Sequence, residues 1–183
     1  MDAKGKDDLA AELFAVLVPA YPGITVAVGT NERWNRPCIT VRWAGFADLL
    51  PEERFQRLIK ELPDGLREKS LSGFIWLELT PEETVDEFLR LPRSEDVDAQ
   101  AGAIHRSLNR LGFYDALKSS MGRSPQTACA GDFANAIATM KKKKVPASRQ
   151  RDARLLFIRQ GAYCDCQIVE TVRAELDKQY GNG

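Results

Sequence analysis

Two cysteines one residue apart, in the stretch RQGAYCDCQIVETVRAEL, are the residues of this chain whose types and spacing most suggest chemistry. Cys164 and Cys166 belong to a set of only four cysteines, beside a single histidine. Asp165 reads as the N-cap of a helix CQIVETVRAEL, which would leave Cys166 at the first helical position. Free backbone N–H groups there stabilise a thiolate and lower its pKa. Thiolates select soft metals, and Cys129, in TACAGDF, could supply a third sulfur for zinc or iron. His105, Asp132 and Cys38 are the candidate fourth ligands, and none has metal-motif spacing. The competing readings are reduced cysteines packed as small apolar residues, with no cofactor, and thiol redox chemistry. A disulfide between Cys164 and Cys166 would be strained.

Other candidate residues are electrostatic or aromatic. Residues 141–159, KKKKVPASRQRDARLLFIR, hold eight basic residues and one acid. Lys141, Lys142, Lys143, Lys144, Arg149 and Arg151 are therefore candidates for nucleic-acid phosphate contacts. Residues 78–98 carry eight acids against two arginines, so the alternative is that the two stretches face each other or solvent. Trp34 lies in a predicted hairpin loop between Arg33 and Arg36, where it can contact a protein, stack on a base or fold back over the sheet. His105 lies off the apolar stripe formed by Ile104, Leu108 and Leu111 and is expected to be exposed. A Cys–His catalytic pair has no assignable orienting residue. No phosphate-binding glycine loop, Gly-x-Ser-x-Gly elbow or His-Glu-x-x-His sequence is present.

The elements that must position these residues follow from periodicity. Residues 7–18 space their apolar positions as an amphipathic helix ended by Pro19 and Pro22-Gly23. ITVAVG and CITVRW are β-branched runs separated by turn residues, a hairpin. LPEERFQRLIKEL is a helix with Pro51 in its first turn; PDGLREKS is a turn; GFIWLEL is a third strand. TPEETVDEFLRL reads as a helix with Thr80 and Glu83 as a capping box. Three strands with helices on one face make a two-layer domain over 1–92. LPRSEDVDAQ shifts composition and reads as a connector. Residues 93–183 read as a helical domain broken at Gly122, Pro125, Pro146 and Gly161. The fold class is α+β with an all-helical C-terminal unit.

Apolar residues make up 44 %, enough for a core, and the formal net charge of zero gives no global attraction to nucleic acid or anionic membrane. No run reaches the roughly 18 apolar residues of a membrane span, and the first residues are acidic where a signal peptide is basic. The expectation is a cytoplasmic protein with no membrane partner.

Residues 41–83 resemble the BolA-like family: Phe46, Arg54, Leu58, Ile59 and Thr80-Pro81-Glu82 fall in that family's register without a gap. The helix–hairpin arrangement upstream is similar to it and to class II KH domains. That resemblance implies the fold. BolA proteins can share an iron–sulfur cluster with a glutaredoxin through a His and a Cys or His of the hairpin loop; Cys38 follows that loop here, but Phe55 and Ser72 stand at the histidine positions, so the ligand set is not carried over. The KH Gly-x-x-Gly loop is absent as well. The ending GAYCDCQIVETV resembles the DUF2695 family of unknown function, whose upstream Cys would correspond to Cys129, with Gly131 at its His position. The leading expectation is a non-catalytic interaction module that binds another protein or self-associates through the sheet, the hairpin loop with Arg33, Trp34 and Arg36, or the helical extension. Nucleic-acid binding through 141–159 and a thiolate metal or redox site are the alternatives.

Overall fold

Leu9, Leu13 and Leu17 recur every four residues and are fully buried, which sets the inner face of the first helix, α1 (Ala3–Leu17). The computed structural model describes residues 3–122 and 129–181 and divides into two units, Met1–Pro92 and Arg93–Gly183. In the first unit, β1 (Thr25–Asn31) pairs antiparallel with β2 (Arg36–Arg42), joined by a turn in which Asn35 takes a positive φ of 48°. After a 3-10 turn at Ala44–Phe46 come α2 (Pro51–Glu61) and α3 (Asp64–Leu71). Then β3 (Ile75–Leu79) pairs parallel with β2, giving the sheet order β1-β2-β3. Helix α4 (Val85–Leu89) closes the unit.

The period-2 alternation of the strands divides the apolar residues between two faces. Ile39 and Val41 of β2 pack with Leu9, Leu13, Leu17, Phe46, Leu58 and Leu62 from the helical layer, with Val26, Val28 and Trp76 against them. Ile75, Leu77 and Leu79 point the other way, onto Phe88, Val85, Leu91 and Trp34. The expectation of helices on one face alone is thus corrected: α4 covers the β3 side of the second face. Two local readings also shift. PDGLREKS opens α3, with Pro63 as the N-cap, and is no mere turn. The last helix starts four residues later than expected, on Thr84, whose hydroxyl accepts the Glu87 N–H while Glu87 accepts back from Thr84.

The reason for that slip is Arg54. Its guanidinium is 2 % exposed and donates to Glu83 Oε2 at 2.5 Å, to the Glu78 carbonyl at 2.7 Å and to the Leu49 carbonyl at 3.0 Å. Glu83 is therefore drawn to Arg54, keeping only its acceptance of the Thr80 N–H, while Arg42 holds the Thr80, Pro81 and Glu83 carbonyls of the same turn. The Arg54 guanidinium also lies 5.7 Å from the Phe46 ring and 5.8 Å from the Phe88 ring, so it joins the cores on the two faces at the β3 edge.

The second unit runs from a 3-10 turn (Ser94–Gln100) through α5 (Ala101–Arg110), α6 (Phe113–Ser120), α7 (Ala134–Lys142) and α8 (Ala147–Arg159). A last helical stretch follows: α9 (Asp165–Gln167), one π turn at Ile168–Val172, and α10 (Arg173–Tyr180). Leu155, Leu156, Phe157 and Ile158 are all buried, so α8 is enclosed on every side at that point and forms the centre of the unit. Phe157 stacks on Phe113 at 5.8 Å and meets Phe133 at 6.1 Å. Among the described residues no helix is long and apolar enough to cross a membrane.

Because Glu83 is nearly enclosed, Arg54→Ala strands a carboxylate and is expected to destabilise the first unit by about 3–5 kcal/mol. Tryptophan fluorescence during urea unfolding measures this selectively, since Trp34, Trp43 and Trp76 all lie in that unit. An unchanged midpoint would refute the role given to Arg54.

Candidate metal centre

Helix α7 begins with N–H groups that need acceptors, and its own first residues supply only one: Asp132 Oδ1 takes the Ala134 N–H at 3.0 Å. The next two donors are met from the far end of the unit. Asp165, fully buried, accepts the Asn135 N–H and the Ala136 N–H, each at 2.8 Å, and its own N–H donates to the Asp132 carbonyl at 2.9 Å. A carboxylate at a helix N-terminus is favoured by the exposed partial positive charge there. Burial pushes the Asp165 carboxyl above its ordinary range, against the pull of the Ala136 and Asn135 N–H groups. The sequence-based expectation that Asp165 caps its own helix is corrected: it caps α7, and extended Cys164 (φ −153°, ψ 164°) is the residue that precedes α9.

With Asp165 turned inward, its neighbours on either side present their sulfurs together. Cys164 Sγ and Cys166 Sγ are 3.0 Å apart, and with Cys129 Sγ the three lie within 4.8 Å of one another. None is in a disulfide, and all three are partly exposed. Sulfurs on a tetrahedral zinc ion, with bonds of about 2.3 Å, stand about 3.8 Å apart. The cluster therefore fits one such ion with small side-chain adjustments. Asp132 and Asp165, which tie the Cys129 loop to the Cys164 loop, are what bring the sulfurs into one place.

The protonation of the cluster differs from the sequence-based expectation. Burial pushes the Cys166 thiol up, and the neighbouring Cys164 and Cys129 push it further. Cys164 is raised too, chiefly by burial. Cys129 carries the lowered pKa: burial works against it, but N–H groups of Cys166 and Gly131 and the other two thiols favour its thiolate. Gly131 adopts φ +75°, a conformation glycine takes at no steric cost, two residues past the sulfur that its N–H reaches. The helix-start effect therefore exists, but it acts on the facing sulfur.

His105 was expected on the surface; it is fully buried and engaged. Its Nδ1 lies 3.0 Å from the Tyr114 hydroxyl, and its Nε2 lies 3.0 Å from Asp177 Oδ1 and 3.1 Å from Asn109 Nδ2. Burial lowers its pKa, outweighing the opposite effect of Asp177. Neither a ligand role nor a Cys–His pair fits this enclosed ring. Cys38 is buried in β2.

The other candidates fare differently. Trp34 is half-buried against Leu77, Leu79 and Phe88, Arg33 pairs with Asp86, and Arg36 is exposed. Lys141, Lys142, Lys144 and Arg149 are exposed, Lys143 is half-buried, and none of these five forms an ion pair among the described residues. Arg151 is exposed and pairs with Asp152, whereas Arg159 pairs with Asp98. Neither a family model, nor a curated protein, nor a solved structure matches the chain.

Sequence reasoning missed Asp165's true partner, Gly131 and the enclosure of His105. A glycine two residues after Cys129 was the available signal for the second.

Two outcomes follow from this geometry. Asp165→Ala leaves two helix N–H groups without their acceptor and is expected to cost about 1–3 kcal/mol in urea unfolding followed by circular dichroism; a loss below a few tenths would contradict the capping role. Because the folded pKa of His105 is depressed, the unfolded chain binds the extra proton, so stability falls as pH drops through about 6.5. As His105 is the single histidine, His105→Gln is expected to flatten the stability change between about pH 7.5 and 5.5, and an unaltered slope would contradict it.

Proposed function

We propose that this chain is a thiolate metal-binding protein whose helical unit holds one zinc-class ion on Cys129, Cys164 and Cys166. The observation that carries the reading is the convergence of three sulfurs from two chain segments within 4.8 Å, behind a buried carboxylate that fixes both segments. Three thiolates suit zinc or iron(II) and poorly suit the hard cations that prefer oxygen. The N–H groups aimed at Cys129 are the outer-shell donors that a metal thiolate needs to disperse its charge. Redox use of Cys164 and Cys166 is less favoured, because a disulfide across one intervening residue is strained.

In this reading the metal fastens a binding module and performs no reaction. Lys141, Lys142, Lys144 and Arg149, exposed and without an ion pair among the described residues, support a second reading, an anionic partner such as nucleic acid, for this unit. The hairpin offers less than expected, since Trp34 is turned toward the sheet. The element order of the first unit, helix, two strands, two helices, strand, helix, supports the BolA- and KH-like resemblance as a proposal about fold. Phe55 packs edge-on against Trp76 at 5.9 Å, so the position of a family histidine serves packing.

Protein purified without chelator or affinity histidines is expected to contain about one zinc or iron per chain by elemental analysis. Cys129→Ser, Cys164→Ser and Cys166→Ser should each lower that occupancy and raise the reactivity of the remaining thiols toward an alkylating reagent. Metal-free protein that fails to take up zinc while folded would overturn the proposal.

A further inference from the structure

Three sulfurs leave a tetrahedral ion one position short, and the chain supplies no obvious fourth donor. Among the described residues no other Cys, His, Asp or Glu joins the cluster, and the stretch 123–128, RSPQTA, contains none of these types. Each nearby candidate is engaged elsewhere. His105 is enclosed by Tyr114, Asp177 and Asn109. Asp165 holds the start of α7, and Asp132 accepts the Ala134 N–H. Gln167 offers a neutral oxygen: its Oε1 lies 3.3 Å from Cys164 Sγ but already accepts the Tyr163 N–H at 2.7 Å.

The cluster also lies at the surface. Ala130, Gly131 and Gln167, which border the sulfurs in sequence, are exposed. Protein zinc sites with three side-chain ligands and solvent access keep a position for an exchangeable ligand, whereas structural sites are closed by four. Charge decides which kind of ligand. Three thiolates on a divalent ion leave a net charge of −1, and the flanking segments 129–136 and 160–167 contain Asp132 and Asp165 but no Lys or Arg. A further anion would meet like charge in a partly desolvated setting, so a neutral donor is favoured.

We infer that the ion held by Cys129, Cys164 and Cys166 keeps an open fourth position at the surface that accepts a neutral nitrogen donor from outside the chain, of the imidazole class. The inference rests on the metal reading above and adds a ligand-exchange activity to it. With the ion bound, water would fill the position, and an incoming imidazole would displace it without any change in the oxidation state of metal or sulfur. The partner that fits is a protein presenting an exposed histidine.

The test uses the full chain, reduced and metal-free, loaded with cobalt(II), whose thiolate charge-transfer and visible ligand-field bands report the donor set. Imidazole added to the loaded protein is expected to move the visible bands saturably, at one ligand per cobalt, with the thiolate charge-transfer band retained. Bands that ignore imidazole in the unaltered chain but respond in Gln167→Ala would mean that Gln167 fills the position, and the inference fails. A response to a small thiol or to cyanide without one to imidazole overturns the neutral-donor assignment. Absence of any thiolate-to-cobalt band removes the metal reading itself, a failure distinct from a closed fourth position. Circular dichroism of Gln167→Ala confirms that the variant compared is folded.

Discussion

The helical unit depends on one buried carboxylate. Asp165 meets two N–H groups at the start of α7 and donates its own N–H to the turn just before that helix. Without it, α7 would begin with buried donors lacking acceptors, and the segment carrying Cys129 would lose two of its hydrogen bonds to the segment carrying Cys164 and Cys166. The site is thus a by-product of helix capping across a long sequence separation. The chain supplies the rest at the helix start: extended Cys164 and Cys166 in the first turn of α9 flank the inward carboxylate, and their sulfurs stand 3.0 Å apart.

The first unit uses the same device with the sign reversed. Arg54 is a buried cation at the edge of the sheet, meeting a carboxylate, two carbonyls and two aromatic rings. In both units a single charged side chain, desolvated and fully partnered, ties an irregular segment to a regular element. Such a group adds little net stability compared with an apolar replacement of the same shape, but it tolerates few alternative arrangements. That selectivity is useful in a turn such as 80–83, where four carbonyl and carboxylate groups must be directed inward.

Much of the architecture was legible because it rests on local pattern. The leucine spacing of α1, the β-branched runs of β1 and β2 and the composition change near residue 92 all sit within short windows. What escaped depended on partners distant in sequence. Two Thr-x-x-Glu patterns follow one another at 80–83 and 84–87, and only the second caps a helix, because arginines 29 and 41 residues upstream of Glu83 hold the first as a turn. His105 lies off the stripe of its own helix, yet Asp177 and Tyr114 enclose it from other helices. Asp165 looks like a cap for the residues after it, while the donors it satisfies are about thirty positions earlier. The proline and glycine of PDG suggested a turn but stand at the start of α3, where Pro63 is the N-cap and Asp64 opens the helix. For the cysteines, the sequence left packing, metal binding and redox chemistry open together, and nothing local to it placed Cys129 beside Cys164 and Cys166.

The sulfur cluster has a consequence for the chain when it is not folded. Cys129 and Cys164 bracket α7 and α8, and an ion shared between them would close a loop of about 35 residues. A cross-link of that size removes loop-closure entropy from the denatured ensemble worth about 4 kcal/mol in the simple polymer treatment. The loaded chain would therefore search a smaller conformational space before α8 finds its place at the centre, and any partner that withdrew the ion would lengthen that search as well as vacate the site.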